Sequence, residues 1–294
     1  GALAEALEVL KEAHGGAWRE APDAAEALLG KGAVHVALWQ FKDALPSLQE
    51  AVEIETRRWG EGDRHVGVAI SHLGTVYHHL EMHKLAVELC DKAQGILRTD
   101  CGADSPVLAE TLVRHAALHA DRQKFEQALE CRQEALRIHK VALGAQHSEV
   151  AEDLFGLGRL NARCNEYTVA LDHYEQALAI YLKVYGSTHS KVMETRTIIG
   201  YMFQRLGRLE LALESMQEAL RIGLVVFKAT GGRVSEAYYD VSKVQFQLGR
   251  LEAALKSAQQ ARELAVFRED VKAIRQFIEK IQAKQASQQG VRDC

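Results

Sequence analysis

Apolar side chains recur along this chain at helical spacing in short runs, and the runs themselves recur in one frame. The segment 151–192 shows the unit. Leu154, Leu157 and Leu160, with the small Gly158 among them, fall on one face of a helix. Asn165 and Glu166 interrupt the pattern. Tyr167, Ala170, Leu171, Tyr174, Ala177, Leu178 and Tyr181 resume it on a second helix. Gly186 predicts the end of that helix, because glycine closes helices in the left-handed conformation without a Cβ clash. Ser190 or its neighbour is expected to open the next one by accepting a bond from a backbone N–H.

The pair returns every 42 residues. Ala44, Ala86, Ala128, Ala170, Ala212 and Ala254 share one frame, and Ala51, Ala93, Ala135, Ala177, Ala219 and Ala261 follow seven residues behind. Gly32, Gly74, Ala116, Gly158, Gly200 and Ser242 form a third frame on the first helix, where small side chains let two helices cross closely. A fixed period of this kind denotes a solenoid. The expected fold class is therefore all-α, with six helix pairs at 25–66, 67–108, 109–150, 151–192, 193–234 and 235–267. Ala2 lies one period before Ala44, so residues 2–14 read as the second helix of a truncated repeat within 1–24, and Pro22 as the opening of the first full one. Val271, Ile274, Ile278 and Ile281 stripe residues 269–287 and predict a capping helix at 268–288 over the last apolar face. A short coiled coil would use the same stripe. Residues from Gln285 read as a fraying end, with 289–294 a flexible tail. Lys228 breaks the glycine frame, and Gly231-Gly232 compensate.

These positions resemble the tetratricopeptide repeat (TPR). The family's small residue on the first helix, its aromatic at the start of the second (Phe41, Phe125, Tyr167) and its two alanines are matched, while His83, Leu209 and Leu251 depart at the aromatic position. The usual TPR is about 34 residues long, so the second helix here is stretched. The tails 135–151 and 177–192, the glycines Gly60, Gly102, Gly144 and Gly186, and the turn Asp104-Ser105-Pro106-Val107 resemble kinesin light chain repeats. The resemblance implies a right-handed superhelix whose first helices line a concave groove. Carried over residue by residue, the groove positions hold an acidic row, Glu26, Glu110, Glu152, Glu194 and Glu236. They also hold a basic track, Arg114, Arg159, Arg163, Arg205 and Lys243, with Phe155, Tyr201, Tyr239 and Phe246 among them. The acidic row suits helix starts and could neutralise the arginines across repeats. The arginines can grip carboxylates with two parallel bonds, and aromatic side chains are common interface anchors. The lysine–asparagine clamp of chaperone-binding TPRs is replaced by residues such as Leu29, Ala33, His72, Glu110 and Arg114. The paired asparagines of kinesin light chains are replaced by Ser71-His72, Val113-Arg114, Phe155-Gly156, Thr197-Ile198 and Tyr239-Asp240.

Composition changes this picture little. An apolar fraction of 47% and a charged fraction of 26% describe a folded protein, and three prolines leave helices intact. A net charge of −4 offers no basic footprint for nucleic acid. No apolar run approaches the ~20 residues of a membrane helix. No signal peptide opens the chain, and Gly1-Ala2-Leu3 lacks a Met, so the sequence reads as a cut piece, from which targeting signals could have been removed. Cys90, Cys101, Cys131, Cys164 and Cys294 form no CxxC pair and read as reduced thiols of a cytosolic protein, a regulatory disulfide being the minor reading.

Candidate chemistry is sparse. There is no phosphate-binding glycine loop and no GxSxG, so no catalytic residue is expected. His72, His78, His79, His83, His115 and His119 crowd into two repeats. His79/His83 and His115/His119 are spaced to share a helix face, as a transition metal requires. No nearby cysteine pair or HExxH joins them, so packed or surface histidines are expected, with no metal and no cofactor. A local pH switch is a further reading.

The expectation is a non-enzymatic scaffold that binds a peptide or helical segment of a protein partner in its groove, through Arg114, Phe155, Arg159, Arg163, Tyr201, Arg205, Tyr239, Lys243 and Phe246. The partner segment is expected to be acidic with an apolar anchor, with no nucleic acid or membrane involved. The light-chain resemblance implies an adaptor in cytoskeletal or ciliary transport. A peptide- or ligand-sensing regulatory module and an architectural subunit using its convex face or C-terminal helix stay open as alternatives, as does the oligomeric state.

Overall fold

Ala44, Ala86, Ala128, Ala170, Ala212 and Ala254 are all inaccessible to solvent, and so, to within 1%, are the alanines seven residues behind them. Each sits where two helices press together, which is why no larger side chain recurs there. The computed structural model describes residues 15–21, 23–227 and 231–292. Residues 2–14, Pro22 and Lys228, to which the sequence assigns a truncated repeat, a helix start and a broken glycine frame, lie outside them.

A short 3-10 helix, Gly15–Glu20, precedes six consecutive helix pairs and an end helix. The pairs are α1 (Ala24–Ala37) with α2 (Phe41–Trp59), α3 (Arg64–His79) with α4 (His83–Asp100), and α5 (Pro106–Asp121) with α6 (Phe125–Leu143). They continue as α7 (Ser148–Arg163) with α8 (Tyr167–Tyr185), α9 (Ser190–Arg205) with α10 (Leu209–Val226), and α11 (Gly232–Gln247) with α12 (Leu251–Leu264). The end helix is α13 (Arg268–Arg292). No strand occurs among the described residues. The helices fall into two compact units, one running to Ala145 and one beginning at Gln146. Within each, the two helices of a pair pack on one another.

The small-residue frame is where they touch. A Cβ added at Gly158 would stand 2.8 Å from the Tyr174 ring, and one at Gly200 would stand 2.6 Å from Met216 Cγ. Gly32 against Leu48 (2.5 Å) and Gly74 against Cys90 Sγ (3.0 Å) repeat the contact one period apart in the first unit. Real Cβ atoms essentially never come under 3.0 Å, so at Gly32, Gly158 and Gly200 glycine is what permits the crossing, and at Gly74 an added Cβ would be tight.

Two sets of left-handed residues shape the turns. Gly60, Gly102, Gly144 and Gly186 close the second helices at φ +85°, +84°, +88° and +79°. A second set joins the two helices of every pair: Trp39, Glu81, Gln123, Asn165, Gly207 and Gly249, at φ between 59° and 75°. The helix start falls at Ser190 and its neighbour, as expected, but the capping acceptor is an imidazole and not a hydroxyl. Ser190 is the first residue inside α9, and the cap is His189, whose Nδ1 accepts from the backbone N–H of Lys191 at 3.2 Å. His147 caps α7 in the same way at 3.2 Å, and Asp63 caps α3 with a carboxylate oxygen 2.8 Å from His65 N. An imidazole with an unprotonated Nδ1 accepts as a serine hydroxyl does, one atom further from the backbone.

The α13 stripe is covered. Ile274, Ile278 and Ile281 are buried against Leu251, Ala254, Ala258 and Ala261, so the stripe caps the last pair instead of awaiting a coiled-coil partner. The helix continues to Arg292, through residues that the sequence presents as a tail.

Candidate binding surface and histidine cluster

In the second unit the first helices α7, α9 and α11 carry most of the expected contact residues. Arg159 and Arg163 lie one turn apart on α7, and both are exposed. Arg205 ends α9 and is exposed too, but it is held in place. Its guanidinium donates to the Tyr167 hydroxyl and lies 4.7 Å from the centre of that ring. The Tyr167 hydroxyl in turn donates to Asn165 Oδ1 at 2.6 Å. The aromatic that opens the second helix thus pre-orients an arginine from the following repeat. Such an arginine loses less rotamer freedom on meeting a ligand than an unsupported one.

The aromatic positions are half-buried. Phe155 meets the Tyr174 ring edge-on, with centroids 5.3 Å apart. Burial raises the Tyr174 hydroxyl to about 12, against a smaller opposing pull from Arg159. Tyr201 is raised by burial first and then by the charge of Asp240, to which it is hydrogen-bonded. The Lys243 ammonium pairs with that same carboxylate at 2.7 Å and lies 4.8 Å from the Tyr239 ring centre. Lys243, Tyr201, Tyr239 and the buried Asp240 therefore satisfy one another.

Three expected contacts are already engaged within the fold. Phe246 is not an open anchor: Phe277 of α13 packs on it with centroids 5.4 Å apart, and the ammonium groups of Lys280 and Lys284 lie 5.4 and 4.5 Å from its centre. Tyr239 meets the same Phe277 at 5.5 Å. Both are partly covered because the stripe on α13 includes Phe277, which the aliphatic spacing alone does not single out. In the first unit, Arg114 is a packing residue. Its Nε donates to Ser71 Oγ at 2.9 Å, and burial lowers its pKa against the opposing charge of Glu110. Within the acidic row, Glu110 acts on Arg114, whereas Glu152 pairs with Lys191 of the next repeat at 2.7 Å.

The histidines separate into two groups in the first unit. His78 Nε2 donates to Asp121 Oδ2 at 2.9 Å, and His79 stacks on Phe41 at 4.2 Å, so the His79/His83 spacing serves packing. His115 and His119 on α5 stack at 4.3 Å, and Cys131 from α6 joins them. One nitrogen of each ring and the Cys131 sulfur all lie within 4.8 Å of one another. Burial pushes His119 down to about 4 and His115 in the same direction, and it pushes the Cys131 thiol up to about 11. Cys131 belongs to a different helix from the histidines, so spacing along one helix does not reveal it.

Helix pairs repeated in one frame and packed through small residues define an α-solenoid. The tetratricopeptide repeat family model matches residues 107–183 and 191–265, just over half of the chain, and the chain belongs to that family. The TPR fold is that of a protein-interaction scaffold. Among solved structures it is similar to BtubC (BKLC) from P. vanneervenii, at 18% identity over 76% of this chain and 90% of that one, with a TM-score of 0.65. It is also similar to a putative kinesin light chain from Podosopora anserina with nearly identical TPR-like repeats, at 18% identity over 70% and 97% of the two chains (TM-score 0.61). A signal-transduction ATPase with a TPR sensor from Pyrococcus horikoshii is 16% identical over 92% of this chain and 44% of that one (TM-score 0.69). These likenesses carry the fold. No curated protein sequence matches the chain.

Proposed function

We propose that the chain is a non-enzymatic scaffold that holds an acidic segment of a partner protein against α7 and α9 of its second unit. Arg159, Arg163 and Arg205 receive the carboxylates, and Phe155 beside them receives an apolar anchor. The observation that carries this reading is the exposure of three guanidiniums on first helices, one of them already fixed by Tyr167. Planar guanidiniums held in place favour two-pronged carboxylate recognition. Lys243, Arg114 and Phe246, each engaged within the fold, serve as support. The use implied by the light-chain resemblance is an adaptor in cytoskeletal or ciliary transport.

The test is a titration of the whole chain with fluorescent peptides that carry four glutamates around one leucine or phenylalanine. Lysine-for-glutamate peptides of the same apolar content serve as the comparison. Saturable binding of the acidic set, in the micromolar range of about −8 kcal/mol, and its loss in Arg159→Glu/Arg163→Glu support the proposal. Equal binding of both sets, or acidic binding unchanged in the variant, removes it.

A further inference from the structure

We propose that His115, His119 and Cys131 bind a divalent transition metal ion of the zinc class, clamping α5 to α6. The donor set is the one such ions select: two imidazoles and a thiolate, borderline and soft ligands together. Zinc bonds to nitrogen and sulfur run about 2.0–2.3 Å, which places donors roughly 3.3–3.7 Å apart across a tetrahedral edge. The observed spread of up to 4.8 Å is wider than this, so binding requires the His119 ring and the Cys131 thiol to rotate inward toward His115. His115 and His119 already share a helix face, one turn apart.

The second observation is that both rings are buried with an orphaned nitrogen. His115 Nε2 and His119 Nδ1 have no hydrogen-bond partner, although the residues are only 3% and 7% exposed. Buried polar atoms are normally satisfied, so two such atoms beside one thiol mark a place a cation would complete. The surroundings supply the outer support that metal-bound histidines use. The Gln94 side-chain amide bonds the other nitrogen of His115, so turning that amide fixes the ring with Nε2 inward. Asp91 on α4 brings a carboxylate oxygen to 3.7 Å from His115 Nε2. Its side chain is 64% exposed and can swing in as the fourth ligand, which would extend the clamp to a third helix. The proposal is independent of the peptide-binding reading, which concerns the other unit.

The experiment uses the whole chain, reduced and stripped with chelator, and the metals alone as probes. One equivalent of zinc is expected to bind in competition with a chromophoric chelator. Cobalt(II) in its place should give a thiolate-to-metal charge-transfer band in the near ultraviolet. Cys131→Ser and His119→Gln should abolish the band and weaken zinc binding at least ten-fold, while Cys164→Ser should change neither. In the unmutated chain, zinc should slow alkylation of Cys131 at least ten-fold, read by peptide mass spectrometry, and leave Cys164 unaffected. That measurement decides the matter if a variant fails to fold. Zinc-independent alkylation of Cys131, or one-equivalent zinc binding that survives Cys131→Ser, overturns the proposal.

Discussion

At Gly158 a single methyl group decides how close two helices come. Placed there, it would stand 2.8 Å from the ring of Tyr174, itself 2% exposed and unable to yield. Gly158→Ala should therefore destabilise the second unit: overpacking of about 1–3 kcal/mol outweighs the helix-propensity gain of up to ~1 kcal/mol. Gly95→Ala is the matched control. It lies inside α4 with nothing within 4 Å of the added carbon, and should stabilise by about 0.5–1 kcal/mol. Urea midpoints of the two variants should move in opposite directions. His72 is neutral in the fold, its pKa lowered from 6.5 to about 4 by burial and then by Arg114. Between those values the unfolded chain binds the proton and the folded one does not. The stabilising contribution is complete above about 6.5 and declines as pH falls toward 4. Melting temperature should drop from pH 7 to pH 5, and His72→Gln should shrink that drop. The alanine and glycine frames are legible in the sequence because only small residues fit those contacts. The partnership of Cys131 with His115 and His119 is not legible, because it crosses from one helix to another.

The joint inside each helix pair is the element-scale counterpart. Six residues one period apart take the left-handed conformation there, and their identities run from Trp39 and Glu81 to Gly207 and Gly249. A periodic backbone demand hidden under unlike side chains leaves no sequence signature, whereas the closing glycines Gly60 to Gly186 announce theirs. Left-handed backbone costs an L-residue about 1–2 kcal/mol. Gly207→Ala should accordingly destabilise by about that amount, and Asn165→Gly should be nearly neutral or slightly stabilising; chemical denaturation of both variants checks this. Helix spans are readable from periodicity, down to the start of α8 at Tyr167. The histidine caps are not, since serine, threonine and aspartate are the residues the backbone usually recruits. The end helix is readable as an aliphatic stripe. Its Phe277, and with it the covering of Tyr239 and Phe246, shows only once α13 is seated.

In the whole molecule, each unit encloses its own core. The cluster built on Tyr174, Ile199, Phe203, Met216 and Val241, and the one under α13, both lie within the second unit. Solenoid stability is close to a sum over neighbouring repeats. A fragment spanning 146–294 should thus keep its helical circular dichroism and unfold cooperatively in urea; a featureless spectrum would show that it depends on the first unit. The same fragment carries the three exposed arginines of the proposed binding surface. Attraction between them and an acidic segment weakens with ionic strength, as the Debye length falls from about 10 Å at 0.1 M salt to about 3 Å at 1 M. The most direct measurement is a paired affinity capture from native lysate. One bait is the whole chain, and the other carries Arg159→Glu, Arg163→Glu and Arg205→Glu and is matched in helical spectrum and melting point. A protein retained by the first bait and lost from the second, with an acidic segment that alone reproduces the difference, is the outcome the arginine face requires. Identical partners on both baits would move binding away from α7 and α9 altogether.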